Sequence, residues 1–353
     1  MIIGLLIVLS LILILPFVFR VIEHNLEYFL LAMGICATLI SGTLSPELMS
    51  HIFGNHLLYF ITAAVLIAGF VFRFSVKGIK NFVSFALKKV PLALFVFLLI
   101  VVLGLASSFI TAIIASLVLV EIVHALPVRH GQKVILTVTA CFSIGLGAAL
   151  TPIGEPLATI VVSSLKADFL YLTRNIGIYV IPCIFALGAF GAFVAFRIER
   201  ASQTQAGDDE DWRAEESSIV RSESLKDVFV RAVKIFLFVI ALELLGAGFK
   251  PLINTYVIHL DSAVLYWINM SSAVLDNATL AAAEVSPEMS GMQIRAILMG
   301  LLLSGGMLIP GNIPNIISAG KLNIKSREWA KFGLPIGITL LLVYFAVIFI
   351  LHL

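Results

Sequence analysis

Polar positions are so sparse along this chain that they mark out its organisation. Apolar runs occupy residues 1–19, 26–44, 57–72, 174–196, 229–249 and 332–352. Most can cross roughly 30 Å of hydrocarbon at about 1.5 Å per residue. Inside a bilayer the backbone must satisfy its own hydrogen bonds, so each run is expected to be a helix. The alternation that a barrel strand needs is absent. Residues 1–19 lack a basic flank and a small-residue cleavage site, and are read as a span rather than a signal peptide.

Four further apolar segments carry interruptions. Segment 91–126 has a weak polar point at Ala106 to Thr111 and is basic at both ends, which fits a re-entrant hairpin better than a single crossing. Segment 252–285 carries Asp276-Asn277 in its middle and is expected to form a second hairpin. Segments 134–165 and 293–318 are broken by "TPIGEP" at 151–156 and "IPGNIP" at 309–314. Proline donates no backbone hydrogen bond and glycine adopts conformations that a helix does not, so both segments are expected to be broken helices.

Loop charge orients these parts. Arg73, Lys77, Lys80, Lys88 and Lys89, then Arg129 and Lys133, then Arg197 and Arg200, then Lys321, Lys325, Arg327 and Lys331 mark cytoplasmic loops. Segments 45–56 and 286–292 lack Lys and Arg and are expected outside, as are both termini. The charged stretch 198–228 is a solvated cytoplasmic linker. The chain then divides into N-terminal scaffold spans (1–56), a first repeat (57–197), the linker (198–228) and a second repeat (229–353).

The two halves share an order of parts. "SSFITAIIASLVLVEI" begins at Ser107 and "SSAVLDNATLAAAEV" at Ser271, and about forty residues later each half reaches its break, with a shared Pro-x3-Pro frame. Loop charges give the halves opposite orientations. The fold class expected is therefore an all-α polytopic membrane protein with an inverted-topology repeat, two re-entrant hairpins and two broken helices.

Composition agrees: 353 residues, 60% hydrophobic and 12% charged, with a mean hydropathy of +1.09. Such a chain is not a soluble domain. A net charge of +2, with no basic patch, gives no reason to expect nucleic acid. Cys36, Cys141 and Cys183 show no metal-type spacing and are read as small core residues.

Freed backbone groups are costly in hydrocarbon and must line a buried or wet cavity, where half-helix ends hold ions. The first candidate site joins Ser107, Ser108 and Thr111 to Gly154 and Glu155. The second joins Ser271, Ser272, Asp276, Asn277 and Thr279 to Gly311, Asn312 and Asn315. An intramembrane acid costs about 2.5–3.5 kcal/mol, which makes Asp276 and Glu155 functional candidates. Sodium is expected at Asp276, Asn277 and Glu155. Glu121 and Glu284 are weaker candidates, since both fall near predicted membrane ends where water can reach them; Glu243, Asp261, His124 and His259 are read as structural or interfacial.

At these residues the sequence resembles the ion transporter superfamily, which includes NhaD-type sodium/proton antiporters, arsenite efflux proteins and citrate and dicarboxylate carriers. Within it, "SSAVLDNATLAAAEVSP" and "GNIPNIISAGKLNIKSREWAKFG" are similar to a small family of prokaryotic cation transporters. The resemblance implies a scaffold and a transport domain, a homodimer, a prokaryotic inner (plasma) membrane location, and a cation and proton role for Asp276-Asn277. Dicarboxylate carriers typically show Ser-Asn-Thr at both hairpin tips, whereas this chain has Ser-Ser-Phe-Ile-Thr and Ser-Ser-Ala-Val-Leu-Asp-Asn.

The expected activity is sodium (or lithium) ion/proton antiport, in which membrane carboxylates bind cation and proton competitively. A sodium-coupled symporter of a small organic or inorganic anion remains the alternative. No zinc-protease or Walker motif occurs, so the chain is not expected to be an enzyme or to carry a cofactor. Its partners are expected to be a monovalent cation, protons and the lipid bilayer.

Overall fold

The structure, a computed structural model, describes residues 1–19, 21–22, 25–54, 56, 58–59, 62–63, 66–67, 70, 85–86, 88–165, 167–204, 225–273 and 277–351. Most of the span at 57–72 and the basic loop after it, most of the linker, and Asp276 lie outside these residues. Among the described residues the regular structure is helical, with no strand.

The chain opens with α1 (Ile2–Val18), α2 (Leu26–Ser41) and α3 (Pro46–Gly54). Helix α2 ends at Gly42, whose φ of 72° is the left-handed stop that glycine takes without strain. Helix α3 occupies a stretch read from sequence as an outward loop. Its start is set by Pro46 at the first position, Glu47 in the first turn, and the Ser45 hydroxyl, which accepts a bond from Leu48 N at 3.1 Å.

Helices α4 (Leu92–Ile110) and α5 (Ala112–Ala125) form a hairpin that turns at Thr111. They are followed by α6 (His130–Ala148), a break, α7 (Pro156–Ser164) and α8 (Tyr171–Thr204). Helix α4 runs parallel to α6, so the hairpin tip lies beside the break, where the Thr151 hydroxyl donates to Ser108 O and Ala112 N donates to Gly154 O at 2.8 Å. Helix α8 continues past the expected span end at 196, carrying Arg197 over the Phe193 ring.

The second half begins with α9 (Leu225–Leu252), which continues as a π turn at Ile253–Val257. The second hairpin is shorter than the 252–285 expected. Its first arm is α10 (Ser262–Ile268) with a 3-10 turn at Asn269–Ala273, and its second is α11 (Asn277–Glu284). Asp261 starts the first arm by accepting from Ala263 N at 2.8 Å. Then come α12 (Gly291–Gly305), a break, α13 (Ile313–Leu322) and α14 (Ser326–Phe345), which ends in a π turn at Ala346–Ile350.

Every residue of α6 from Leu136 to Ala148, and of α12 from Ala296 to Gly305, is buried. A helix apolar on all sides belongs at a core, and these two form it. Helix α14 is peripheral, with Ile338, Leu342 and Val343 exposed as on a lipid-facing surface. Among the described residues, four helical stretches, Leu92–Ile110, His130–Ala148, Tyr171–Ala201 and Ser326–Ile350, are long and apolar enough to cross a membrane.

Packing crosses between the halves. The second arm of each hairpin lies on the other half's post-break helix: α5 on α13, and α11 on α7. The N-terminal helices attach through α2, which packs along α9, and close approach depends on small residues. A Cβ at Gly34 would meet Leu244 Cβ at 2.9 Å, and one at Gly248 would meet Ala37 Cβ at 2.6 Å. Cys141 and Cys183 are buried as expected, whereas Cys36 is exposed on α2.

Candidate functional site

The first break runs from Ala149 to Glu155. Glu155 immediately precedes α7 with φ −155° and ψ 161°, and Pro156 opens the helix, where the absent N–H costs nothing. A Cβ at Gly154 would run into Ala148 O, so only glycine fits there. Side chains satisfy the freed carbonyls: Thr159 Oγ1 donates to Pro152 O at 2.5 Å and Thr173 Oγ1 to Leu150 O at 2.6 Å.

The facing hairpin tip is tied down by its serines. Ser107 Oγ donates to Gly104 O (2.6 Å) and Ile144 O (2.9 Å), and Ser108 Oγ donates to Leu105 O (2.6 Å). At the turn Thr111 has φ 74° and ψ 149°, a region that is essentially glycine-only and is a true outlier for a β-branched residue. Its Oγ1 accepts from Ile114 N at 3.4 Å, which caps α5.

The second break repeats this plan with different side chains. Asn312 precedes α13 with φ −155° and ψ 147°. Asn315 Nδ2 donates to Gly305 O and Leu308 O, both at 2.8 Å, and Trp329 Nε1 donates to Gly306 O at 3.1 Å. In the hairpin, Ser272 Oγ donates to Leu301 O at 3.3 Å, and Ser304 Oγ reaches back to Asn269 O at 2.8 Å.

These bonds recur at constant spacing. Ser107 and Ser272, and Ala112 and Asn277, differ by 165; Ala148 and Gly305, Gly154 and Gly311, and Glu155 and Asn312 differ by 157. The serine pairs and the Pro-x3-Pro frame are each one residue out of this register. Bonding therefore sets Ser107 opposite Ser272, and the glycine rather than the proline marks equivalent points of the breaks.

The breaks lie against a common wall. The Asn312 side chain fills the space beside Gly145 of α6, Gly306 packs on Phe142, and Cys141 Sγ lies 3.3 Å from Ser318 Oγ and 3.6 Å from Pro314 O. Of the expected site residues, Ser107, Ser108, Thr111, Glu155, Ser272, Asn277, Asn312 and Asn315 are buried and Ser271 is half-buried. Gly154 and Gly311 hold the close approaches. Asp276 and the Thr279 side chain lie outside the described residues. The side chains that satisfy the breaks, Thr151, Thr159, Thr173, Ser304 and Trp329, were not among the expected site residues, although Thr151 heads the "TPIGEP" stretch itself.

Among the described residues, Asn277 Nδ2, Asn312 Oδ1 and Asn315 Oδ1 are buried with no hydrogen-bond partner. A Cβ at Gly311 would stand 2.5 Å from both Gly305 O and Ser272 O and 3.1 Å from Ala273 O, so three carbonyl oxygens crowd this one point. The buried charged residues are Glu121 (2% exposed), Glu155 (5%) and Glu284 (8%), with no buried Lys or Arg among the described residues. Glu121 and Glu284, the weaker candidates near the expected membrane ends, are both enclosed, because α5 packs on α13 and α6, and α11 on α7, α9 and α12. Among the described residues no three His, Cys, Asp or Glu side chains converge, and the donors at the breaks are carbonyl, amide and carboxylate oxygens.

Helical throughout its described residues, with four apolar helices there long enough to cross a membrane, the buried α6 among them, the chain is a membrane protein. It belongs to DUF1646, a family described as protein of unknown function, which matches residues 2–351. No curated protein matches the chain.

Proposed function

We propose that this protein is a secondary active transporter, a sodium (or lithium) ion/proton antiporter in which interior carboxylates bind cation and proton in competition. The observation that carries this reading is the charge of the interior: three carboxyl side chains are buried and no lysine or arginine is buried with them among the described residues. Buried carboxyl groups are costly to ionise, and a proton or a bound cation can each offset that charge. Exchange of one for the other is antiport.

In this reading the two halves form an inverted-topology repeat, and the hairpins are re-entrant. Asp276 immediately precedes α11 in the sequence, and at the spacing of 165 its sequence counterpart in the first half is Thr111. The second cation site then combines Asp276 and Asn277 with the carbonyl oxygens around Gly311 and with Asn312 and Asn315. The first is built on Glu155 with the tip of the α4–α5 hairpin. Sodium at Asp276, Asn277 and Glu155, a homodimer and an inner-membrane location complete the proposal.

One observation favours the alternative, a sodium-coupled anion symporter. Helices α5, α7, α11 and α13 all begin at the tips and breaks, and helix N-termini carry partial positive charge suited to an anion. Proteoliposomes containing a pH-sensitive dye separate the two. Sodium or lithium should move protons, and Asp276→Asn and Glu155→Gln should abolish that movement. Sodium-dependent uptake of a labelled anion with no proton response would instead establish the symporter.

A further inference from the structure

Glu284 and Asn269 are joined by a contact that the transport reading does not use. Asn269, fully buried in the first arm of the second hairpin, donates through Nδ2 to Leu265 O at 2.9 Å and to Glu284 Oε2 at 2.7 Å. Glu284 is the last residue of α11, the second arm, so this bond ties one arm of the hairpin to the other. Both amide hydrogens are committed. The remaining atom of the amide, Oδ1, is buried with no hydrogen-bond partner among the described residues.

We infer that Glu284 and Asn269 form a proton-binding site, an acid–amide pair that latches the two arms of this hairpin when the carboxyl is protonated. Leu265 O can only accept, which fixes Nδ2 rather than Oδ1 towards it. An ionised carboxylate offers only lone pairs, so it can accept from Nδ2 but has nothing to give Oδ1. A carboxylic acid has the missing hydrogen: its O–H donates to Oδ1 while its other oxygen accepts from Nδ2. Protonation thus completes a two-bond ring and satisfies the one amide atom left unpaired, and deprotonation leaves a buried charge facing a carbonyl oxygen.

Among the described residues no cationic side chain is shown against the pair. Helix α7 has no titratable side chain. Of the described side chains of α9, Lys226 and Lys250 are exposed, Lys234 pairs with Glu27, and Glu243 has the same sign as the carboxylate. On α12, Arg295 donates to Asn175 Oδ1 and covers the Tyr179 ring, and Tyr256 of the π turn is exposed. The pair closes the hairpin whose connecting residues include Asp276, so its proton would couple to the geometry of that tip. The proton site itself stands whether or not the protein exchanges cations.

Infrared difference spectroscopy of the full chain in lipid vesicles, recorded across pH in light and heavy water, reads this proton directly. Wild type should show the carbonyl stretch of a hydrogen-bonded carboxylic acid that is sensitive to deuteration and disappears at alkaline pH. Glu284→Gln should lose that band yet keep its unfolding temperature, because the glutamine amide makes both bonds of the ring. Asn269→Leu should keep the band but move it to the higher frequency of an unpaired acid. Spectra of wild type and Glu284→Gln that coincide at every pH, or a band unmoved by Asn269→Leu, would overturn the inference. Sodium-driven proton flux is a separate measurement: its absence in wild type with the band present would sink the antiport reading and leave this one standing.

Discussion

Replacing Gly311 by alanine adds one carbon at the most crowded point of the second break. That carbon would lie 2.5 Å from Gly305 O, 2.5 Å from Ser272 O and 3.1 Å from Ala273 O. An ordinary C···O approach is about 3.3–3.6 Å, so two backbone oxygens are overrun by about 0.8 Å each. None of the three atoms is the end of a flexible side chain. The hairpin tip must back away from the broken helix, at a cost of about 1–3 kcal/mol typical of overpacking. Gly320→Ala is the matched control, since its new carbon meets nothing within 4 Å and alanine favours a helix by about 0.5–1 kcal/mol. The two variants should therefore differ by about 1.5–4 kcal/mol in stability. Thermal unfolding in detergent, followed by tryptophan fluorescence, measures that gap, and sodium-triggered proton movement in vesicles should fall in Gly311→Ala alone. If Gly311→Ala unfolds no lower than Gly320→Ala, the close approach of tip and break is refuted.

Two other substitutions probe the same architecture. Thr111→Gly should stabilise the protein, because it relieves about 1–3 kcal/mol of backbone strain for the loss of a few tenths in capping, whereas Thr111→Ala keeps the strain and loses the cap; opposite shifts in unfolding temperature are the expected result. Asn315→Leu should destabilise by about 1–3 kcal/mol for each of the two carbonyls it leaves unsatisfied, and unfolding that matches wild type would remove Asn315 from its role in the break.

Much of this architecture could be read from the chain because proline and glycine act locally. "TPIGEP" and "IPGNIP" announce breaks that the backbone takes at Ala149 to Glu155 and at Gly306 to Asn312. Where the sequence misled, the deciding contacts were distant. The register between the halves depends on Ser107 meeting Ile144 and Ser272 meeting Leu301, which no count of serine pairs contains. Glu121 and Glu284 ranked as weaker candidates because apolarity falls beyond them, yet each is buried on a helix packed against both halves. Asn269 gave no signal at all: its importance comes from Glu284, fifteen residues away. Helix α3 was legible in principle, since Ser45, Pro46 and Glu47 form a helix start within a stretch classified only by its lack of Lys and Arg.

The exchange of hairpin arms, α5 on α13 and α11 on α7, has a consequence for the chain as a single polypeptide. Each half contributes one helix to the packing of the other's post-break helix. Severed within the hydrophilic linker, the two fragments would each expose a groove shaped for a helix they do not possess. They should be degraded or aggregate when made alone and recover one another when made together. Co-translation in one chain is thus the device that supplies each half with its complement at equal dose, and tandem copies of a single half would be no substitute for the pair.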